Sequence, residues 1–266
     1  MLRPMQIGPE TRVILTGATR GIGRATARAL AGRGATVGLA ARSEEDLAAL
    51  AKKLPGSVEM AVDVGDAGGL DAAVQGFISE AGGLDAVIAN AGIAHTAPFS
   101  ELEAGRAEEM TRVNFLGTLN LVRSSLDHML DRGRGHIAIV SSGAALRAFP
   151  WTAVYGATKA AQKAFAEALR HELSGTGVSV STIYPGEVKT SLHAHEREKM
   201  PDWWRAGDAI PPEVVAEAVV SAITEDRREV HVPQQVRLLG LNGVAPGLVD
   251  RLLAVIRGGS AAPRRY

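Results

Sequence analysis

The chain has 266 residues, of which 46% are hydrophobic and 22% charged, and its 29 basic and 29 acidic side chains give a formal net charge of zero. Because the charge is balanced and no basic block occurs, nucleic-acid binding has no electrostatic support, and we expect no nucleic-acid partner. The absence of cysteine excludes disulfides and thiolate catalysis and is typical of a reducing compartment.

The start of the chain, MLRPMQIGPETRVILTG, has no apolar run of signal-peptide length, and no later run is long enough to span a bilayer. We therefore expect a cytoplasmic protein.

Short apolar runs recur along the chain and predict strands. They cover Val13–Leu15, Val37–Ala40, Val58–Val62, Leu84–Ala89, His136–Val140, Val178–Tyr184 and Val230–Val232. Continuous rather than alternating runs are typical of strands buried on both faces of a parallel sheet. The segments between them carry apolar residues at helical spacing. The pattern predicts an α/β Rossmann fold, with a doubly wound parallel sheet of about seven strands and helices on both faces.

We treat residues 1–266 as one domain, with two segments outside the repeating strand–helix pattern. Residues 187–210 form an insertion, and connections of that length are usually binding loops. Met200, Trp203 and Trp204 in this loop suggest an apolar pocket wall and a hydrophobic substrate. The alternative is that the aromatic residues only anchor the loop. The other segment is the extension 234–266, which we expect to pack over the substrate cleft or against a second subunit. Membrane-surface contact by its apolar stripe is the alternative.

The first predicted strand leads into TGATRGIG, which carries Gly17, Gly21 and Gly23. Open α/β sheets bind ligands beyond the carboxyl ends of their strands. Glycines at such a point let the backbone turn sharply and approach a phosphate, while the next helix offers free N–H groups. A plain tight turn also favours glycine, but three glycines favour pyrophosphate binding.

The second predicted strand ends at Ala41 and Arg42. NAD-binding folds usually place an acidic residue there for the ribose 2′-hydroxyl, whereas an arginine accommodates a 2′-phosphate. With Arg20 as a second cation in the glycine turn, the sequence favours NADP(H) over NAD(H). Either arginine could equally be a solvated surface residue.

Polar residues also follow the next three strands. They are Asp63 with Val64, Asn90 with Ala91 and Gly92, and Ser141 with Ser142. Each has an ordinary interpretation as a helix cap, a turn residue or a local hydrogen-bonding group. Because all of them lie along one rim of one sheet, we favour a shared binding site.

Tyr155 and Lys159 lie four residues apart in VYGATKAAQKAF, which is typical of a helix. Residues at this spacing share a helix face, so the phenol and the ammonium can converge on one point. Alone, the pair is also compatible with a coincidence of helix surface.

In chain order, these motifs resemble the single-domain branch of the short-chain dehydrogenase/reductase family, from about Arg12 to Val232. The resemblance rests on TGATRGIG, Asp63–Val64, the NAG at Asn90–Gly92, Asn114 in VNFLG, Ser142, the Tyr155–Lys159 pair and PGEVKT at Pro185–Thr190. Two features depart from the family pattern. Ala89 stands where the family often has a second Asn, and the end of the chain lacks the glycine-rich segment that closes a tetramer in many relatives.

The resemblance implies an oxidoreductase that interconverts a small-molecule carbonyl and a secondary or primary alcohol with a nicotinamide cofactor, for which Arg42 and Arg20 predict NADP(H). Tyr155 would be the acid/base and Ser142 would hold the reacting oxygen. Lys159 would tune Tyr155 and bind the nicotinamide ribose, and Asn114 would support a water-linked proton path. A free phenol has a pKa of about 10, and a nearby ammonium favours its phenolate. Hydride comes from the cofactor, so no metal is needed.

The resemblance and the strand ends together predict a cofactor site. Its residues are Gly17, Thr19, Arg20, Gly21, Ile22, Gly23, Arg42, Asp63, Val64, Asn90, Ala91, Gly92, Tyr155, Lys159, Pro185, Gly186, Val188 and Thr190. We expect a homodimer, since the altered chain end puts a tetramer in doubt. The competing interpretation is a non-catalytic NADP(H)-binding sensor or scaffold of the same fold, although degenerate relatives normally lose the tyrosine or the lysine.

Overall fold

A computed structural model describes residues 5–190, 192, 209–247 and 250–251 of the chain. Its centre is a sheet of seven parallel strands in the order β3-β2-β1-β4-β5-β6-β7. The strands are β1 (Arg12–Thr16), β2 (Thr36–Ala41), β3 (Ser57–Ala61), β4 (Ala86–Ala89), β5 (Gly135–Val140), β6 (Val178–Pro185) and β7 (Glu229–Val232). This confirms the predicted fold class, with strand ends that differ from the apolar runs by one or two residues.

Helices cover both faces of the sheet. They are α1 (Gly21–Ala31), α2 (Glu44–Ala51), α3 (Ala67–Ala81), α4 (Ala104–Met110), α5 (Gly117–Asp131), α6 (Ala153–Glu172) and α7 (Pro212–Thr224). A π-helical turn, Thr111–Leu116, joins α4 to α5. Short 3₁₀ helices occur at Phe99–Glu101, Gly143–Ala145 and Gln234–Gly243. None of the helices in the described ranges is both long and apolar enough to cross a membrane.

Two hydrophobic cores explain why the strands are continuously apolar. Val13 and Leu15 of β1 pack in one core with α1, α2 and α7, whereas Ile14 between them packs in the other with α3, α5 and α6. Successive side chains of a strand point to opposite faces, so a strand covered on both sides needs apolar residues at every position.

The strand order reverses between β1 and β4, so the loops after these two strands diverge and leave a crevice at the carboxyl edge of the sheet. The polar and glycine-rich residues of the sequence follow the strands at this edge.

The insertion at 187–210 is described only at its two ends, which pair with each other. Val188 bridges Ile210, and the backbone N–H groups of Lys189 and Ile210 donate to the carbonyls of Ile210 and Glu187 at 2.9 Å. Met200, Trp203 and Trp204, which suggested an apolar pocket wall, lie outside the described residues. The same holds for the extension beyond residue 251. The division of the chain into one domain, an insertion and an extension stays a prediction.

Candidate active site

The three glycines of the turn between β1 and α1 leave no room for larger residues without strain or a steric clash. Gly17 and Gly21 have φ angles of +67° and +51°, a region that L side chains rarely adopt. At Gly23 the space itself requires glycine, because a Cβ there would lie 2.0 Å from the Gly17 carbonyl oxygen. A Cβ at Gly21 would lie 3.0 Å from the Thr190 methyl group. The turn therefore lies directly against the loop that follows β6.

Asn90 fixes this turn from the neighbouring strand. Its Nδ2 donates to the carbonyl oxygens of Thr16 at 3.0 Å and Gly17 at 3.3 Å. The backbone N–H groups of Asn90 and Ala91 both donate to the Thr16 Oγ1 at 3.1 Å. Asn90 and Ala91 therefore shape the glycine turn through hydrogen bonds within the protein. Their partner Thr16 is the first residue of TGATRGIG, but it was not among the predicted site residues.

The start of α1 completes the turn. Its N-cap is Arg20, whose side chain makes no capping hydrogen bond, whereas Ser43 caps α2 and Asp66 caps α3. The first-turn N–H groups of α1 are therefore not satisfied by a capping side chain, which is the arrangement that favours an anion at a helix N-terminus. Thr19 and Ile22 are half-buried in the turn, and Ile22 packs against the core.

Asp63 is held by an ion pair that sequence reasoning missed. Its Oδ2 accepts from the Arg112 guanidinium at 2.9 Å, and its Oδ1 accepts from the Gly65 N–H at 2.9 Å. Burial alone would raise the pKa of Asp63, but these bonds and the nearby charge of Arg42 outweigh it and lower the pKa below its ordinary value. The carboxylate is therefore charged, and Arg42, exposed at the end of β2, contributes to its field.

Val64 follows β3 and the segment Pro185–Thr190 begins at the end of β6, both at the carboxyl edge of the sheet. Val64 is buried, and its carbonyl accepts from the Asn120 Nδ2 at 2.9 Å. Pro185 ends β6, and the Gly186 N–H donates to the Val232 carbonyl at 2.7 Å. This bond ties the loop after β6 to β7.

Tyr155 lies in the first turn of α6 and is 7% exposed. Ser142, which follows β5, forms a side-chain hydrogen bond with it. The Ser142 Oγ also accepts from the Ala144 N–H at 3.1 Å, which fixes the hydroxyl at the start of a 3₁₀ turn. The structure thus brings the predicted acid/base and the predicted oxygen-holding serine into contact.

Lys159 lies one turn further along α6 and is 4% exposed. Its Nζ donates to the Val140 carbonyl and to the Gln162 Oε1, each at 3.1 Å, and lies 5.8 Å from the centroid of the Tyr155 ring. A Cβ on Gly92 would lie 3.6 Å from this Nζ, so the NAG segment borders the ammonium as well as the glycine turn.

Burial shifts the pKa values of both members of this pair in the protein itself. Burial raises the pKa of Tyr155, which the hydrogen bond from Ser142 offsets only in part. Burial also lowers the pKa of Lys159 to about 7, so its ammonium is only partly charged near neutrality. The protein's own groups therefore keep the phenol protonated instead of lowering its pKa, because removal from water penalises both charged forms.

Asn114 lies in the π-helical turn and is fully buried. Its Oδ1 accepts from the Ile93 N–H at 2.8 Å, and its Nδ2 donates to the Ile93 carbonyl at 3.0 Å and the Thr158 Oγ1 at 3.1 Å. Its own carbonyl accepts from the Gln162 Nε2 and the Thr118 Oγ1, both at 2.8 Å. Protein donors thus occupy the main-chain carbonyl of Asn114, the residue that was expected to support a water-linked path.

Part of the C-terminal extension borders the site. In the 3₁₀ helix Gln234–Gly243, Val236 and Leu239 face Gly143, where a Cβ would lie 3.2 Å from each side chain. Arg147, in the loop before α6, donates to the Asn242 Oδ1 at 2.5 Å and pairs with Asp250. This described part of the extension therefore lies beside the strand end that carries Ser142.

Comparisons with known proteins show the family and the fold of the chain. The family model described as short chain dehydrogenase matches residues 11–201. A ketoacyl reductase HetN from a Nostoc species is 34% identical over 252 residues, which cover 90% of this chain and 87% of the relative.

Two solved structures share the fold. A short-chain dehydrogenase/reductase from Burkholderia phymatum in complex with NAD has a TM-score of 0.83 at 24% identity, covering 92% of this chain and 96% of that one. A gluconate 5-dehydrogenase from Burkholderia cenocepacia in complex with NADP and tartrate has a TM-score of 0.76 at 27% identity, covering 83% and 92%. The chain belongs to the short-chain dehydrogenase family and is an oxidoreductase of that family.

Proposed function

We propose that the protein is an NADP(H)-dependent oxidoreductase that interconverts a small-molecule carbonyl and an alcohol, with Tyr155 as the proton donor and acceptor. The observation that carries the proposal is the contact between Tyr155 and Ser142, with the Lys159 Nζ on the same helix face and within reach of the ring. These three polar side chains converge at the carboxyl edge of the sheet, beside the glycine turn.

The residues of the turn fit a dinucleotide. The space that a Cβ at Gly17 or Gly23 would fill is bordered by backbone, and α1 begins there without a side-chain cap. Gly17, Gly21 and Gly23 would hold the pyrophosphate, and Asp63 would lie at the adenine end. A nicotinamide cofactor bound there supplies the hydride.

The protein's own groups then manage the proton. In the reducing direction the neutral Tyr155 hydroxyl donates its proton to the substrate oxygen, and the raised pKa keeps that proton in place at neutral pH. The Ser142 hydroxyl holds the same oxygen, so that developing charge meets a fixed donor. The Lys159 ammonium stabilises the phenolate that remains.

Arg42 supports a preference for NADP(H). Its side chain is exposed at the end of β2, and its charge acts on Asp63 at the end of the next strand. A 2′-phosphate at this edge would meet Arg42 and, from the glycine turn, Arg20. We expect Arg42→Asp to lower the NADPH/NADH ratio of kcat/KM by about tenfold or more. An unchanged ratio would contradict the 2′-phosphate assignment.

The activity is tested with a panel of aldehydes, ketones and quinones, followed by NADPH absorbance in both directions. We expect turnover of at least one substrate class. Saturable NADPH binding without oxidation across the panel would instead favour the sensor or scaffold. Light scattering on the same preparation tests the homodimer expected from the sequence.

A further inference from the structure

Gln162 is a buried polar residue to which neither the sequence motifs nor the proposed mechanism gives a role. It lies on α6 and has no solvent exposure. It is three residues beyond Lys159 and seven beyond Tyr155, so all three side chains share one face of the helix. A buried amide costs free energy unless its donors and acceptor are paired, so its partners show what it does.

Both ends of the Gln162 amide are used. The Oε1 accepts from the Lys159 Nζ at 3.1 Å, and the Nε2 donates to the Asn114 carbonyl and the Thr118 Oγ1, each at 2.8 Å. The opposite orientation would set the amide oxygen against the Asn114 carbonyl and the NH₂ group against the ammonium. The chemistry of the neighbours therefore fixes which end of the amide faces Lys159.

The Asn114 carbonyl is fully engaged. The Thr118 hydroxyl donates to it at 2.8 Å in addition to Gln162, so protein donors use both of its lone pairs. A water between this carbonyl and Lys159 would have to displace the Gln162 amide. A neutral amide can accept a hydrogen bond from the ammonium, but it has no ionisable proton to pass on.

We propose that Gln162 is a positioning residue that takes the place of water between Lys159 and Asn114, holds the Lys159 Nζ beside Tyr155 and favours its charged form. The proposal deepens the proposed function, because Lys159 is the group that stabilises the Tyr155 phenolate there. The amide dipole presents an oxygen to the ammonium, whereas the surroundings otherwise disfavour that charge by burial.

The Lys159 Nζ is surrounded by backbone and side-chain groups from three segments of the chain. The strand β5 offers the Val140 carbonyl, α6 offers Tyr155 and Gln162, and the loop after β4 offers the backbone at Gly92. Burial is the cause of the Lys159 shift, with no charged side chain of the described residues contributing to it. Of the two acceptors that the structure gives this Nζ in the described part of the chain, the Val140 carbonyl is backbone, so Gln162 is the acceptor that a substitution can remove.

The test reads the charge of Lys159 directly. The chain has six lysines, so ¹³C labelling at lysine Cε gives a spectrum in which Lys159 is assigned by comparison with Lys159→Met. Gln162→Met removes the acceptor, and the Lys159 midpoint should fall by about one pH unit or more, since a hydrogen bond to the charged form favours that form. Gln162→Glu keeps the shape and adds a negative charge, so the midpoint should rise by at least about one unit.

Thr118→Val is the matched control. It removes a hydroxyl that contacts the Gln162 Nε2 but leaves the Oε1 contact with Lys159, so we expect a midpoint within about 0.3 units of wild type. If both Gln162 variants fold and the midpoint stays at its wild-type value, the proposal is overturned. A shift in Thr118→Val as large as that in Gln162→Met overturns it as well, because the amide contact would then not be the cause.

The wild-type protein keeps the proposal falsifiable if the variants do not fold. The side-chain amide signal of Gln162 should move with the same midpoint as Lys159, and an amide signal that ignores this titration overturns the contact. The proposed function is judged separately, by turnover. Where activity is found, the limb of the kcat/KM profile that follows Lys159 should move in the same direction as the Lys159 midpoint in each variant, and a limb that stays fixed overturns the positioning role.

Discussion

Replacement of Gly23 by alanine tests the glycine turn most sharply. The added Cβ would lie 2.0 Å from the Gly17 carbonyl oxygen and 2.7 Å from the Asn90 Nδ2. Real Cβ atoms do not approach backbone so closely, so the turn between β1 and α1 must shift. The Asn90 Nδ2 also donates a hydrogen bond to the Gly17 carbonyl at 3.3 Å, and a shift of the turn strains this hydrogen bond as well.

The size of the effect follows from two opposing terms. Forcing a methyl group into a packed position costs about 1–3 kcal/mol, and more where the neighbour is backbone. Alanine in a helix gains up to about 1 kcal/mol over glycine. We expect Gly23→Ala to lower the free energy of unfolding by about 1–2 kcal/mol and to weaken NADPH binding at least about tenfold, since the displaced N–H groups are those proposed to meet the pyrophosphate.

Gly76→Ala provides the matched control, because Gly76 lies within α3 and a Cβ there meets nothing within 4 Å. Because only the helix propensity changes at this position, we expect Gly76→Ala to raise the free energy of unfolding by about 0.5–1 kcal/mol and to leave the NADPH affinity unchanged. Thermal unfolding and fluorescence titration with NADPH measure both variants. Wild-type stability and affinity in Gly23→Ala would refute the close packing of the turn.

Two further predictions concern pH. Burial lowers the pKa of His136 to about 4, whereas the pKa of histidine in the unfolded chain is about 6.5. Below pH 6.5 the unfolded chain binds a proton that the folded chain does not. The free energy of unfolding therefore falls by about 3 kcal/mol in total as the pH falls from 6.5 toward 4. His136→Gln should therefore show a smaller fall in Tm between pH 6.5 and pH 4.5, and an equally steep fall would contradict this. For Lys159, the unfolded chain binds a proton between about pH 7 and 10.5 that the folded chain does not, so stability rises with pH across that window. The Tm of Lys159→Met relative to wild type should accordingly be higher at pH 6 than at pH 9.5, and a difference independent of pH would count against the buried amine.

The strands of the sheet could be predicted from the sequence because each strand carries its own continuous apolar run. A strand covered on both faces must be apolar at every position, and the runs found in the sequence lie where the structure has strands. The glycine turn was predictable for a similar reason, since Gly17 and Gly21 adopt positive φ angles that few other residues tolerate.

The features of the site that could not be predicted from the sequence depend on contacts between segments that are distant in the chain. Arg112 pairs with Asp63 across 49 positions, and the π-helical turn that carries Arg112 lies against the loop after β3. Gln162 did carry a signal, its place on the helix face of Tyr155 and Lys159, but the sequence does not say that Asn114 lies opposite. The pKa of Tyr155 was expected to fall because of the nearby ammonium. In the protein alone this pKa is raised, because burial outweighs the hydrogen bond with Ser142.

The most direct test of the proposed chemistry is single-turnover reduction by Tyr155→Phe, with NADPH binding measured on the same preparation. Phenylalanine keeps the ring and removes only the hydroxyl that contacts Ser142. We expect saturable NADPH binding and, with the cofactor bound, a rate lowered by about 100-fold or more, the usual contribution of a positioned proton donor. A wild-type rate with the cofactor bound would contradict the account.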